Sequence, residues 1–209
     1  MDAYLAACDI IDWRTPTIVN QAASLRAETD DVLAIAKACF LFVRDEIKHS
    51  ADFQLNPVTC KASDVLEHGT GYCYAKSHLL AALLRANGIP SGLCYQRLTI
   101  DNDRPPFCLH GLNAVYLPDY GWYRIDARGN KRDVAAEFTP PVEKLAFPLV
   151  TDGEADLPGI WPRPLGVVAS TLNKFHTVQE VADNLPDVSL NEMNQLAETH
   201  QVGIGCIGE

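Results

Sequence analysis

The chain lacks a cationic start followed by an apolar run, opening instead Met1-Asp2-Ala3-Tyr4-Leu5, and no stretch is long enough to cross a bilayer. An exported or membrane-spanning protein is not expected, and a cytoplasmic address is. A basic stripe is also missing. The 17 Lys and Arg are scattered among 27 Asp and Glu for a net charge of -10, a field that repels a phosphate backbone, so neither nucleic acid nor a membrane is expected as a partner. Among the 7 cysteines no C-x-x-C pair occurs. Their odd number and wide spacing (8, 39, 60, 73, 94, 108, 206) argue against a disulfide framework and a closed zinc site, and most read as core thiols. No internal repeat or low-complexity tract is present. What remains is 209 residues, 47% hydrophobic and 21% charged, the composition of one globular domain with a sizeable core.

Residues 1–29 are rich in turn formers. Asp30 and Asp31 then cap a predicted helix running to about Lys48, with Ile35, Cys39, Phe42 and Val43 at helical spacing. Ser50 to Pro57 reads as irregular chain, Ala62 to His68 as a short helix closed by Gly69, and Gly69-Thr70-Gly71-Tyr72 as a turn. That turn feeds an apolar helix that stops at Asn87-Gly88-Ile89-Pro90. Strands are expected over Leu93 to Ile100, Gly111 to Leu117 and Trp122 to Ile125, with Asp101 to Pro106 linking the first two. The proline-rich last third holds helices over Val167 to Phe175 and Thr177 to Asn184 and no core of its own. One domain over 1–209 follows, with a core at about 30–135 that residues 136–209 wrap.

Cys73 stands at the predicted start of the apolar helix. Unpaired N–H groups and the positive dipole end there favour thiolate over thiol, and Gly69 and Gly71 give a substrate carbonyl room to approach. The Cys73 N–H itself is one oxyanion donor. A thiolate needs an imidazole, and the imidazole a carboxylate to hold its tautomer. His110 and Asp126 fit on spacing if Leu117-Pro118-Asp119 forms a three-residue hairpin loop; a two-residue loop would put them on opposite faces. Gln54 is a candidate second oxyanion donor, and Tyr72 and Tyr74, flanking Cys73, are candidate substrate contacts. Tyr95-Gln96-Arg97 and Arg124 are either cleft residues or ordinary cross-strand neighbours, and Asp119 is a turn residue. His78, five residues past Cys73, is turned away from that face. His49 and His68 flank irregular segments and could line a pocket, but a lone histidine beside a helix end is more often a capping or solvated residue.

Three blocks, Gly71-Tyr72-Cys73-Tyr74-Ala75-Lys76-Ser77, Leu109-His110-Gly111-Leu112-Asn113-Ala114-Val115 and Gly121-Trp122-Tyr123-Arg124-Ile125-Asp126, resemble in order those of the transglutaminase-like superfamily. The likeness extends through Phe42 to Ile47, Arg85 to Pro90 and Trp161 to Leu165. It implies an α+β, papain-like fold in which the helix that starts at the nucleophile packs on an antiparallel sheet. Cys73 would be the nucleophile, His110 the general acid and base, and Asp126 the orienting carboxylate, with no cofactor and no metal. Where the family often has an aromatic soon after the histidine, this chain has Gly111 and Leu112.

The implied chemistry is acyl transfer through a thioester on a peptide, protein or small amide or ester substrate. Water as acceptor makes a hydrolase and an amine a transglutaminase; the triad does not separate them. A non-catalytic peptide-binding member of the fold and a Cys/His metal binder are the rivals from other classes.

Overall fold

The computed structural model describes residues 1–100 and 104–205. Asp101 to Asp103, the first half of the expected link between two strands, and Cys206 lie outside the described residues. Helix α1 (Pro16–Arg26) starts on a proline and buries only Ile18 and Ala22, so its apolar period is faint and the segment reads as turns. Helix α2 (Val32–Asp45) is capped by Asp31, whose carboxylate accepts from the Leu33 N–H at 2.9 Å, and it buries Ile35, Ala36, Cys39, Phe40 and Val43. It stops three residues short of the predicted Lys48. Instead of continuing the helix, strand β1 (Lys48–His49) pairs in parallel with β2 (Thr70–Gly71), which occupies the stretch expected to be a turn. Between them lie α3 (Ser50–Phe53), in chain expected to be irregular, and α4 (Ala62–His68), closed by Gly69 at φ 63°.

Helix α5 (Cys73–Ala86) is buried from Cys73 through Arg85 without interruption. A helix apolar on every side belongs at the centre of a fold. Helices α1, α2 and α4 pack on one side of it and the main sheet on the other. Leu79, Leu80, Leu83 and Leu84 are fully enclosed; truncating one to Ala costs about 2–5 kcal/mol. Buried Arg85 donates to the Ser91, Ala6 and Pro162 carbonyls and ties the N-terminal segment and the stretch around Pro162 to this helix.

Strands β3 (Ser91–Thr99), β4 (Phe107–Leu117), β5 (Gly121–Ile125) and β6 (Ala155–Asp156) form an antiparallel sheet in the order β5-β4-β3-β6. The β4–β5 loop is Pro118-Asp119-Tyr120, three residues as the triad requires but one place further along than expected. Ile125 therefore pairs with Asn113, and Asp126 falls beside Leu112 rather than His110. A slip of two places preserves the face. The last third lies along this body: Leu93 and Trp161 exchange backbone hydrogen bonds, and α6 (Gly166–Lys174) and α7 (Val178–Ala182, with a Thr177/Glu180 capping box) precede an unanticipated α8 (Leu190–Gly205). The fold is α+β. Among the described residues no helix is long and apolar enough to cross a membrane, and Cys8, Cys39, Cys60, Cys73, Cys94 and Cys108 are free thiols.

Candidate active site

β5 ends at Ile125, so β4 has no strand partner on that side from Leu112 back to Phe107. The start of α5 abuts this open edge. Gly111 donates its edge N–H to Cys73 Sγ at 3.5 Å, while the next donor on the same edge, Leu109 N–H, is taken by the Pro186 carbonyl at 2.7 Å. The first-turn N–H groups of α5 have no acceptor within the helix, and Tyr72 offers no capping oxygen. Cys73 thus meets main-chain donors from both helix and strand.

His110 Nε2 lies 2.7 Å from Asp126 Oδ2, which leaves Nδ1 as the ring nitrogen available to the neighbouring Cys73 sulfur. Burial works against an imidazolium here, yet the Asp126 carboxylate and the Cys73 sulfur outweigh it and hold the His110 pKa up to about 10. Asp126 is wholly buried. Burial alone would raise its pKa, but His110 and the N–H groups of Ala146 (3.0 Å) and Arg128 (3.1 Å) drive it below the ordinary value. The Phe147 ring stands edge-on to His110 at 5.0 Å between centroids and covers the imidazole.

Cys73 and His110 open onto a cleft of about 720 Å³. Its lining combines apolar Leu98, Ile100, Leu109, Val150 and Leu185 with His49, Arg128, Lys131 and Arg132. Tyr72 and Tyr74 line it, but their hydroxyls are engaged, Tyr72 on the Val178 carbonyl at 2.6 Å and Tyr74 on the Leu109 carbonyl, so they serve as walls rather than oxyanion donors. Gln54 is not brought to the cleft. It sits exposed with φ 51°, its amide donating to Ala51 O at 2.7 Å. Gln96 and Arg124 are tied to Asp156 outside the cleft, Arg97 to Asp187, and Tyr95 to the Leu165 N–H. His78 is enclosed on the Cys60 carbonyl.

Sequence reasoning missed several residues at the site. His49 is buried, not solvated, because β1 pairs it with Gly71, two residues before Cys73. Arg128 holds Asp126 through its N–H and grips Asp52 with its guanidinium at 2.6 and 3.0 Å. Lys76, one turn past Cys73, donates to the Arg44 and Ile47 carbonyls, and burial first, then Arg128, push its pKa down to about 7. Strand pairing and loop return create these contacts, and neither leaves a local signal. Among the described residues no three His, Cys, Asp or Glu side chains converge as a metal site needs.

The family model described as the transglutaminase-like superfamily matches residues 19–127, a span that holds Cys73, His110 and Asp126. The chain belongs to the transglutaminase-like superfamily. No curated protein matches it. Among solved structures, this transglutaminase-like chain is similar to a putative cysteine protease from Cytophaga hutchinsonii (18% identity, TM-score 0.47, 60% of this chain and 40% of that one). It is also similar to the periplasmic domain of TgpA from Pseudomonas aeruginosa (19%, TM-score 0.45, 59% and 45%). The chain spans less than half the length of either.

Proposed function

We propose that this transglutaminase-like protein is a cysteine-nucleophile acyl-transfer enzyme that hydrolyses an amide, peptide or ester bond. Cys73 is the nucleophile, His110 the general acid and base, and Asp126 the orienting carboxylate. The observation that carries the reading is the convergence of all three, Cys73 and His110 on the cleft and Asp126 buried behind the imidazole. Cys73 Sγ faces the Gly111 N–H at 3.5 Å, and His110 Nε2 is anchored to Asp126 at 2.7 Å with Nδ1 left for the sulfur.

In the first half-reaction the Cys73 thiolate adds to the acyl carbon and a C–S bond forms. The carbonyl oxygen takes the negative charge against the first-turn N–H groups of α5. His110 Nδ1 then protonates the departing amine or alcohol as its bond to carbon breaks. In the second, water attacks the thioester, Nδ1 takes its proton, and the C–S bond breaks to restore the thiolate and imidazolium. Asp126, fixed by two main-chain N–H groups, keeps the Nε2 proton and the ring plane in place through both.

Site-resolved iodoacetamide labelling near neutral pH tests this reading. Cys73 is expected to label ahead of the other thiols, although Cys8 and Cys108 are more exposed. His110→Ala is expected to remove the preference. Uniform, slow labelling across the thiols would instead favour a binding module that keeps the fold.

A further inference from the structure

A second histidine lines the cleft that holds Cys73 and His110. His49 is carried on β1 and paired with Gly71, its ring stands edge-on to Tyr72 at 5.7 Å, and it lines the cleft with Cys73 and His110. It is only 7% exposed, yet its two nitrogens differ. Nδ1 is sealed from solvent without a hydrogen bond and lies 3.6 Å from Asp52 Oδ2. Nε2 is not sealed in this way and has no hydrogen-bond partner among the described residues.

The charges around the ring fix its form. Burial first, and then the Arg128 guanidinium, force the His49 pKa down to about 3, with Lys76 and His110 pushing the same way and only Asp52 opposing. Asp52 is itself held ionised by Arg128 and Lys131 against its own desolvation, at about 2. A neutral imidazole beside a fixed carboxylate carries its proton on the nitrogen that faces it, Nδ1. Nε2, the unsealed nitrogen of this cleft-lining ring, then carries the lone pair. It can accept a hydrogen bond there and cannot donate one, so it does not serve as an oxyanion donor.

Resting on the acyl-transfer reading above, we propose that His49 Nε2 holds the acceptor that resolves the Cys73 thioester. Water and a primary amine each carry two hydrogens. One goes to His110 Nδ1 as the new C–O or C–N bond forms and the C–S bond breaks; the other stays on the acceptor and is held by His49. Held by both imidazoles, the acceptor has its lone pair left for the acyl carbon. Attack of the thiolate on the first substrate needs no such acceptor, so His49 acts on deacylation and leaves acylation largely alone.

The test separates the half-reactions with p-nitrophenyl acetate as probe. Release of p-nitrophenol reads acylation, and the lifetime of the acetyl adduct on Cys73, followed by intact-protein mass, reads deacylation in water and with added hydroxylamine. His49→Phe keeps a ring against Tyr72 and removes the acceptor; it is expected to acylate within about threefold of the unaltered protein while its adduct lives about tenfold longer or more. His49→Gln, whose amide oxygen reaches near the Nε2 position, is expected to restore most of the rate, and His49→Asn, which reaches only the Nδ1 position, is not. An adduct lifetime unchanged in His49→Phe, or acylation and deacylation falling together in all three variants, would overturn the inference. Failure of the unaltered protein to acylate at Cys73 would instead strike the triad reading on which it rests and take the inference with it.

Discussion

At the His110 imidazole, burial and the neighbouring charges compete, and the outcome is a pKa raised to about 10. A raised histidine pKa contributes stability that is fully present below the unfolded value near 6.5 and lost as pH rises through about 10. Lys76 runs the other way. Its pKa of about 7, against 10.5 unfolded, is a penalty fully present below about 7 and gone above 10.5. The slopes oppose each other, so the informative quantity is a difference between proteins. Urea unfolding of the unaltered protein and His110→Gln is expected to show a stability gap on the order of a few kcal/mol near pH 6 that closes toward pH 10. Lys76→Met is expected to compare best with the unaltered protein at low pH and to lose that relative advantage as pH rises, whatever the absolute cost of its two freed carbonyls. Gaps that stay constant with pH would refute the charge assignment at each residue.

Where β4 meets α5, glycine is a condition of the site. A Cβ on Gly111 would stand 3.0 Å from Tyr74 Cα and 3.2 Å from Tyr74 N, both backbone atoms that cannot swing aside. Gly111→Ala is expected to cost about 1–3 kcal/mol by urea unfolding and to push the strand edge off the helix start, abolishing selective labelling of Cys73. Gly69→Ala makes a useful comparison. It adds strain at φ 63° but meets nothing within 4 Å, so about 1 kcal/mol should be lost with reactivity retained. Elements with strong periods or closing glycines, α4, α5 and β3, were legible in the sequence almost to the residue. So was the face shared by His110 and Asp126, since parity survives the one-place shift of the hairpin loop. The two-residue pairing of β1 with β2 was not, because a strand of two residues has no period to read. His49 passed for a solvated residue for that reason alone, and Gln54 looked available because its left-handed backbone, which turns the amide onto Ala51, has no mark in the sequence.

Across the whole chain, the last third reaches the site through its backbone more than through its side chains. Ala146 N–H holds Asp126, Val178 O anchors Tyr72, Pro186 O occupies the edge donor of Leu109, and Trp161 extends the sheet along Leu93. A chain ending at Ala135 is expected to lose cooperative unfolding and selective Cys73 labelling together. A truncated chain that kept a sharp urea transition would show residues 136–209 to be a detachable cover. The proline-rich composition of this region hid its role, since main-chain contacts of this kind are indifferent to residue type. That indifference bears on how such a site can be lost. The donors that hold the Asp126 carboxylate are peptide groups, present whatever side chain sits at 128 or 146, and among substitutions only proline there deletes one. Point changes at those positions are therefore a weak route to disarming the carboxylate. A residue gained or lost between 126 and 146 would move the Ala146 donor out of reach and is the more direct one.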